Sequence, residues 1–276
     1  MLPNLVIIGA AKSGTTALHR YLAEHPDVFM SEQKELQYFQ LDDWESRRSW
    51  YEAQFPVESP VRGEASPIYT FYPFCEGVAR RMGSLIPDAK LIYIVRDPIE
   101  RFVAHYVEHF ALRIVTRPFA EVASDRDPRN QVLAASRYAS QLEQYLDAFP
   151  AEQILVIDQD DLRIERRDTL RRVFSFLEIA PDFWSRSFEV EHNQRKDVSL
   201  NGLGRWLYLN HLLEPLQRAG GRLPRPVRRT ARRAIGPSVH TPELTDEMRS
   251  TVAEALREDV QRFRQLTGQR FAGWSI

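Results

Sequence analysis

A lone lysine stands in a run of small residues near the start of the chain, Gly9-Ala-Ala-Lys12-Ser13-Gly14-Thr15-Thr16. A short apolar run, Leu5 to Ile8, precedes it, and a helical pattern with Leu18 and Leu22 on one face follows. Strand, tight loop and helix in that order leave the backbone N–H groups of residues 13–16 at a helix N-terminus, where the macrodipole favours an anion. Gly14 allows the backbone to approach a ligand closely, Lys12 adds a compact positive charge, and the Thr15 and Thr16 hydroxyls add donors. The chemistry this predicts is the cradling of a phosphate-like group. Lysine is an unusual choice here: of 37 basic residues only Lys12, Lys34, Lys90 and Lys196 are lysines.

A second candidate follows the apolar run Lys90–Val95 and reads Arg96-Asp97-Pro98-Ile-Glu-Arg101, continuing to Ala104, His105 and Tyr106. An arginine at the carboxyl end of a buried parallel strand lies where open α/β sheets bind ligands, and its planar fork suits a phosphate monoester. Pro98 fits the first turn of a helix, which puts Arg101 and His105 on one face.

The elements that must position these residues are read from hydrophobic period. Besides the run at 5–8, apolar runs at 61–65, 90–95 and 153–157 read as buried parallel strands. Helices are expected near 75–86, 98–113, 137–148, 168–177 and 243–267, so the pattern is one of βαβ units. Residues 42–74 hold Trp44, Trp50, Tyr51, Phe55, Tyr69, Phe71, Tyr72 and Phe74. Such density reads as core, and its position beside the loop makes it the first place to look for acceptor contacts.

These motifs together resemble sulfotransferases that use 3′-phosphoadenosine 5′-phosphosulfate (PAPS). G-x-x-K-[ST]-G-T-[ST] opening a helix resembles their 5′-phosphosulfate loop. Arg96, Pro98, Arg101 and Tyr106 match their R-x-P-x-x-R-x-x-S-x-Y segment for the 3′-phosphate, with Ala104 in place of the serine. Lys34-Glu35-Leu-Gln-Tyr-Phe39 is similar to the K-E-x-x-[FY]-F segment of the glycosaminoglycan N- and 3-O-sulfating type, which implies Glu35 as the base. Gly63-Glu64-Ala65-Ser66-Pro67-Ile68-Tyr69 resembles the family's G-E-x-[ST]-P-x-Y turn, and animal relatives often carry lysine at the Ala65 position. Tyr138 opens a helix that matches a further block, and Arg195 and Lys196 lie where relatives place a basic loop over the nucleotide phosphates. The resemblance implies an α/β, P-loop-like three-layer fold, with a central parallel sheet flanked by helices and residues 1–276 forming one domain. It implies Lys12 and Glu35 as catalytic, and Lys12, Ser13, Gly14, Thr15, Thr16, Arg96, Tyr138, Arg195 and Lys196 as nucleotide-binding. PAPS would be the sulfuryl donor and 3′-phosphoadenosine 5′-phosphate (PAP) the product, with no metal. The acceptor is a hydroxyl or amine of a small molecule, glycan or lipid.

Three other readings use the same residues. A P-loop NTPase or kinase would take Ile154–Asp158 as a Walker B strand ending in a Mg²⁺-binding Asp158, but a Walker lysine follows the second glycine and Lys12 precedes it. A metallohydrolase would use His105-x-x-Glu108-His109, an H-x-x-E-H pattern. A non-enzymatic nucleotide-binding module is disfavoured by Lys12 and Glu35 together. A net charge of −1 gives no global signal for nucleic acid, and Cys75 alone supports neither an internal disulfide nor a cysteine metal site. The absence of a long apolar segment and a strand beginning at residue 5 lead to the expectation of a cytoplasmic protein, and the arginine bias to that of a bacterial one. Arg222–Arg233 holds six arginines, a basic face suited to an anionic surface.

Overall fold

The runs rich in isoleucine, valine and leucine form strands, as their composition requires. In the computed structural model, which describes residues 1–189 and 244–276, these are β1 (Leu5–Gly9), β2 (Val28–Met30), β3 (Val61–Ala65), β4 (Lys90–Val95) and β5 (Ile154–Asp158). All neighbours pair in parallel, in the order β2-β3-β1-β4-β5. The strand not foreseen is β2, whose three residues are too few to show a period.

Around the sheet lie α1 (Thr15–Ala23), α2 (Arg48–Ala53), α3 (Val78–Leu85), α4 (Pro98–Ala111), α5 (Phe119–Ser124), α6 (Gln131–Ala134), α7 (Tyr138–Leu146), α8 (Gln159–Ile164), α9 (Arg166–Phe176) and a long helix, Asp246–Thr267. Alternation along the strands sorts the core into two sides. Leu5, Ile7, Ile92, Ile94 and Ile157 pack against α1, α8 and α9. Val6, Ile8, Leu91, Tyr93, Val95 and Val156 pack against α3, α4, α7 and the long helix. This is the expected three-layer α/β fold.

Helix ends follow from local chemistry. Pro98 opens α4 while the Asp97 carboxylate accepts from the Ile99 and Glu100 amides at 2.9 and 3.0 Å. The long helix stops at Gly268, whose φ of 67° is left-handed. No residue of its own sequence caps α7; Asp259 of the long helix does so, accepting from the Ala139 and Ser140 amides at 2.9 and 3.0 Å. Of the aromatic stretch, Tyr51, Phe55, Tyr69 and Phe71 are core, whereas Trp50, Tyr72 and Phe74 are exposed. Among the described residues no helix is long and apolar enough to cross a membrane.

β1 lies between β3 and β4, and successive crossovers leave it to opposite sides. The carboxyl ends of β1, β3 and β4 therefore open on a topological switch point, where α/β sheets bind ligands. Loop 10–14, Ser66 and Arg96 all start there.

Candidate active site

Loop 10–14 is shaped by two residues in the left-handed region, Lys12 at φ 70° and Gly14 at φ 93°. Gly14 is also the residue before α1, and no side chain caps this helix. Ser13 donates its amide to the Ala10 carbonyl, and the helix ladder begins with Ala17 and Leu18 donating to Gly14. The N–H groups of Gly14, Thr15 and Thr16 have no partner among the described residues, so three donors converge on the mouth of the loop. Ser13 is fully buried and its hydroxyl lacks a well-formed hydrogen bond. At Gly9 a Cβ would stand 2.1 Å from Thr70 Oγ1, so only glycine lets β1 pass this close to the turn after β3. These features fit a phosphate or sulfate oxyanion.

Lys12 is not idle. Its ammonium is paired with the Glu108 carboxylate from α4. Arg96 lies against the same loop: one guanidinium nitrogen donates to the Lys12 carbonyl at 3.3 Å and another lies 3.5 Å from the Glu100 carboxylate. Two cationic side chains that follow different strands thus meet at one backbone segment. Tyr138 is placed otherwise than its expected nucleotide contact requires. It is fully buried, and its hydroxyl donates to the Arg96 carbonyl at 3.0 Å, so it supports Arg96 from below. Burial pushes that phenol up to about 12, which keeps it a donor. Arg195 and Lys196 lie outside the described residues, as does the segment Arg222–Arg233.

Glu35 comes to this site from the segment after β2. Its amide donates to the Ala65 carbonyl at 3.1 Å at the end of β3, and its carboxylate accepts from Lys34 Nζ at 2.8 Å. Burial pushes the Glu35 carboxyl up, but the Lys34 ammonium, its hydrogen bond, a further one from Gln37 and the field of Lys12 together hold it below 4.5. The carboxylate is therefore ionised at neutral pH and within electrostatic reach of the loop lysine. The fold brings Lys12, Arg96 and Glu35 together from the ends of three strands.

The histidines of α4 have their lone pairs occupied. Arg101 is fully buried and donates to Ser136 Oγ at 2.7 Å and to the Val132 carbonyl at 2.6 Å. It also lies 3.0 Å from His105 Nδ1. A guanidinium has no acceptor, so His105 Nδ1 accepts and its proton sits on Nε2. That Nε2 is 2.8 Å from His109 Nε2 and donates to it. Each imidazole thus spends its one acceptor on a neighbour. Burial drives the His105 pKa well below 6.5 and that of His109 down to about 4, so both are neutral. Arg101, matched to a phosphate motif in sequence, is a structural clamp between α4 and residues 132–136.

Asp158 is engaged in the same way. Its Oδ1 accepts from the Asp160 amide at 3.0 Å and its Oδ2 from the Trp274 indole at 2.9 Å, so the carboxylate caps α8 and anchors residue 274. Sequence reasoning missed the role of Glu108 as partner of Lys12. The H-x-x-E-H spacing sets it between two histidines that could share a zinc ion, and only the fold shows which cation faces it.

The sulfotransferase domain family matches residues 2–201. The bifunctional heparan sulfate N-deacetylase/N-sulfotransferase 3 of Homo sapiens is 31% identical over 203 residues, 66% of this chain and 23% of that protein. The corresponding enzyme 1 of Caenorhabditis briggsae is 30% identical over 202 residues, again 66% and 23%. The chain thus spans about a quarter of the length of these curated relatives. Among solved structures, a sulfotransferase from Alicyclobacillus acidocaldarius has the same fold, with a TM-score of 0.70 over 100% of both chains at 23% identity. The sulfotransferase domain of the curacin biosynthetic pathway reaches 0.50 over 68% of this chain and 77% of its own, at 17% identity. With its phosphate loop, its arginine at the end of β4 and a match over residues 2–201, the chain belongs to the sulfotransferase family.

Proposed function

We propose that the protein moves the sulfuryl group of PAPS to an amine or hydroxyl and releases PAP. The observation that carries this reading is the meeting, at the switch point of the sheet, of Glu35, tied by its amide to the Ala65 carbonyl at the end of β3, with the Lys12 loop on which Arg96 rests. In the reaction the acceptor's lone pair forms a bond to sulfur, the bond from sulfur to the bridging phosphate oxygen breaks, and the acceptor's proton leaves. The free N–H groups of Gly14, Thr15 and Thr16 hold the 5′-phosphate, and Lys12 neutralises charge on the bridging oxygen as it develops. Arg96 holds the 3′-phosphate. Glu35 takes the proton, the task for which an ionised carboxylate close to the transferring group is suited. As in phosphoryl transfer, in-line positioning and charge stabilisation are the main work.

Relatives named for N-sulfation of heparan sulfate put a glycan amine first among the acceptors, ahead of a small-molecule or lipid hydroxyl. Calorimetry with PAP and with ATP, each with Mg²⁺ or with EDTA, tests the donor. PAP is expected to bind far more tightly than ATP and without Mg²⁺. Tight, Mg²⁺-dependent ATP binding overturns the proposal in favour of an NTPase.

A further inference from the structure

Glu64, on β3, is a fully buried carboxylate with no cation against it among the described residues. Three hydroxyls satisfy it instead: Tyr51 at 2.7 Å and Tyr69 at 3.0 Å on Oε1, and Ser66 at 2.7 Å on Oε2. Two of these hydroxyls have a second task. Ser66 Oγ accepts from the Gln37 amide at 3.0 Å, and the Tyr69 hydroxyl accepts from the Phe39 amide at 3.3 Å. A hydroxyl that accepts an N–H has its one proton left to give, and here the only place to give it is Glu64. The polarity of both chains is thus set from one end by backbone and from the other by carboxylate. Burial pushes the Glu64 carboxyl up, and the three hydroxyl bonds from Ser66, Tyr51 and Tyr69 oppose that push.

The segment gripped in this way needs a grip. Glu35 and Gln37 both have left-handed backbones, at φ 66° and 55°, without being glycine. Such a conformation persists only where the surroundings over-determine it. The Glu35 amide on the Ala65 carbonyl and Arg81 on the Phe39 carbonyl at 2.9 Å complete the hold, and Tyr38 stacks on Tyr51 at 4.0 Å.

We propose that Glu64 is a positioning residue: through Ser66 and Tyr69 its buried carboxylate fixes the backbone of residues 35–39 and so keeps Glu35 turned toward Lys12. The claim rests on the sulfuryl-transfer reading for the importance of Glu35, though the grip itself does not. The arrangement makes a distinction between the three hydroxyls. Ser66→Ala and Tyr69→Phe each remove a bond to the segment, whereas Tyr51→Phe removes only a bond to Glu64 and keeps the stacked ring. In Glu64→Gln one oxygen becomes an NH₂ that donates, so the hydroxyl facing it loses the acceptor for its own proton and its hold on the amide behind it weakens.

The test uses the full chain and needs no acceptor. Amide hydrogen exchange at Gln37 and Phe39 is followed in wild type and in the Ser66→Ala, Tyr69→Phe, Glu64→Gln and Tyr51→Phe variants. In parallel, the Glu35 carboxyl is titrated by ¹³C NMR with Lys12 present and after Lys12→Ala. Exchange should quicken about tenfold, the factor of one lost hydrogen bond, at Gln37 in Ser66→Ala and at Phe39 in Tyr69→Phe. Tyr51→Phe should leave both amides protected. The upward shift of the Glu35 titration caused by Lys12→Ala should shrink in the two variants that release the segment, and persist in Tyr51→Phe. Exchange at Gln37 or Phe39 should also quicken in Glu64→Gln; unchanged protection of both amides in that variant, or a Lys12–Glu35 coupling that survives their release, overturns the proposal. Wild-type protein that fails to bind PAP by calorimetry sinks the functional reading instead and leaves the grip standing.

Discussion

The Lys12–Glu108 pair sets up the most decisive perturbation. The ammonium we assign to the donor is held by a carboxylate of α4, with side-chain exposures of 28% for Lys12 and 16% for Glu108. Two unit charges about 4 Å apart attract by about 4 kcal/mol at an effective dielectric of 20. Partial exposure, and the cost of holding two side chains in one geometry, reduce the net worth of such a pair to about 1–2 kcal/mol. A nucleotide phosphate that takes over Lys12 must give that up, and it also meets the negative charge of Glu108. Glu108→Gln keeps the shape and removes both penalties, so PAP should bind about 5- to 30-fold more tightly. Calorimetry at low and high salt measures this. The gain should shrink as salt screens the partly exposed pair, and in a Lys12→Ala background it should fall to the part that comes from Glu108 repelling the phosphate, since no ammonium remains to be freed. Weaker binding of PAP to Glu108→Gln would refute the reasoning, because it would mean that Glu108 aims Lys12 at the nucleotide instead of withholding it.

Arg96→Ala should weaken PAP binding by about 1.5–3 kcal/mol and leave adenosine 5′-phosphosulfate, which lacks the 3′-phosphate, unaffected; equal losses on both ligands would move the 3′-phosphate elsewhere. Ala104→Ser, measured in the same titration, should leave affinity unchanged or raise it modestly. Glu35→Gln should lower turnover about 10²–10⁴-fold with nucleotide affinity near wild type. A base works in its ionised form and, against the upward push of burial, Lys34 and Gln37 hold the Glu35 carboxyl below the ordinary carboxylate range, so activity should rise with pH through an acid limb lower than that of a free glutamate; a limb that persists in Glu35→Gln would move the base elsewhere. Gly9→Ala, whose Cβ would meet Thr70 Oγ1 at 2.1 Å, should cost about 1–3 kcal/mol in thermal unfolding, and Thr70→Ala in the same chain should recover most of it.

The fold was legible because buried parallel strands write themselves as continuous apolar runs. Four of the five strands stand within a residue of the runs at 5–8, 61–65, 90–95 and 153–157. The five expected helices are present, four of them a few residues shorter, as at Val78–Leu85 against 75–86, while α9 begins two residues earlier than expected, at Arg166. What escaped was short or set by tertiary contact. β2 has three residues, and α7 takes its N-terminal cap from Asp259, 120 positions away, which no local pattern announces.

The site was legible to the extent that a residue's own type declares its chemistry. A lysine between glycines, an arginine at a strand end and a glutamate after a lysine can each be named from the chain, and the fold gathers all three. The direction of a hydrogen bond has no such signature. His105 and His109 are good bases by type, and only the Arg101 guanidinium, which can do nothing but donate, shows that their lone pairs are spent. Tyr138 matches a nucleotide-binding block yet lies beneath Arg96 with its hydroxyl on a carbonyl. Glu64 is the sharpest case. A carboxylate without a cation is costly to bury, so its three hydroxyl donors must be there for a reason beyond its own solvation. The reason lies on their far side, where two of them hold backbone amides of the segment that carries Glu35. In sequence Glu64, Ser66 and Tyr69 can be matched to a family turn but given no task, because the property that matters is which atom each hydroxyl proton has left to reach.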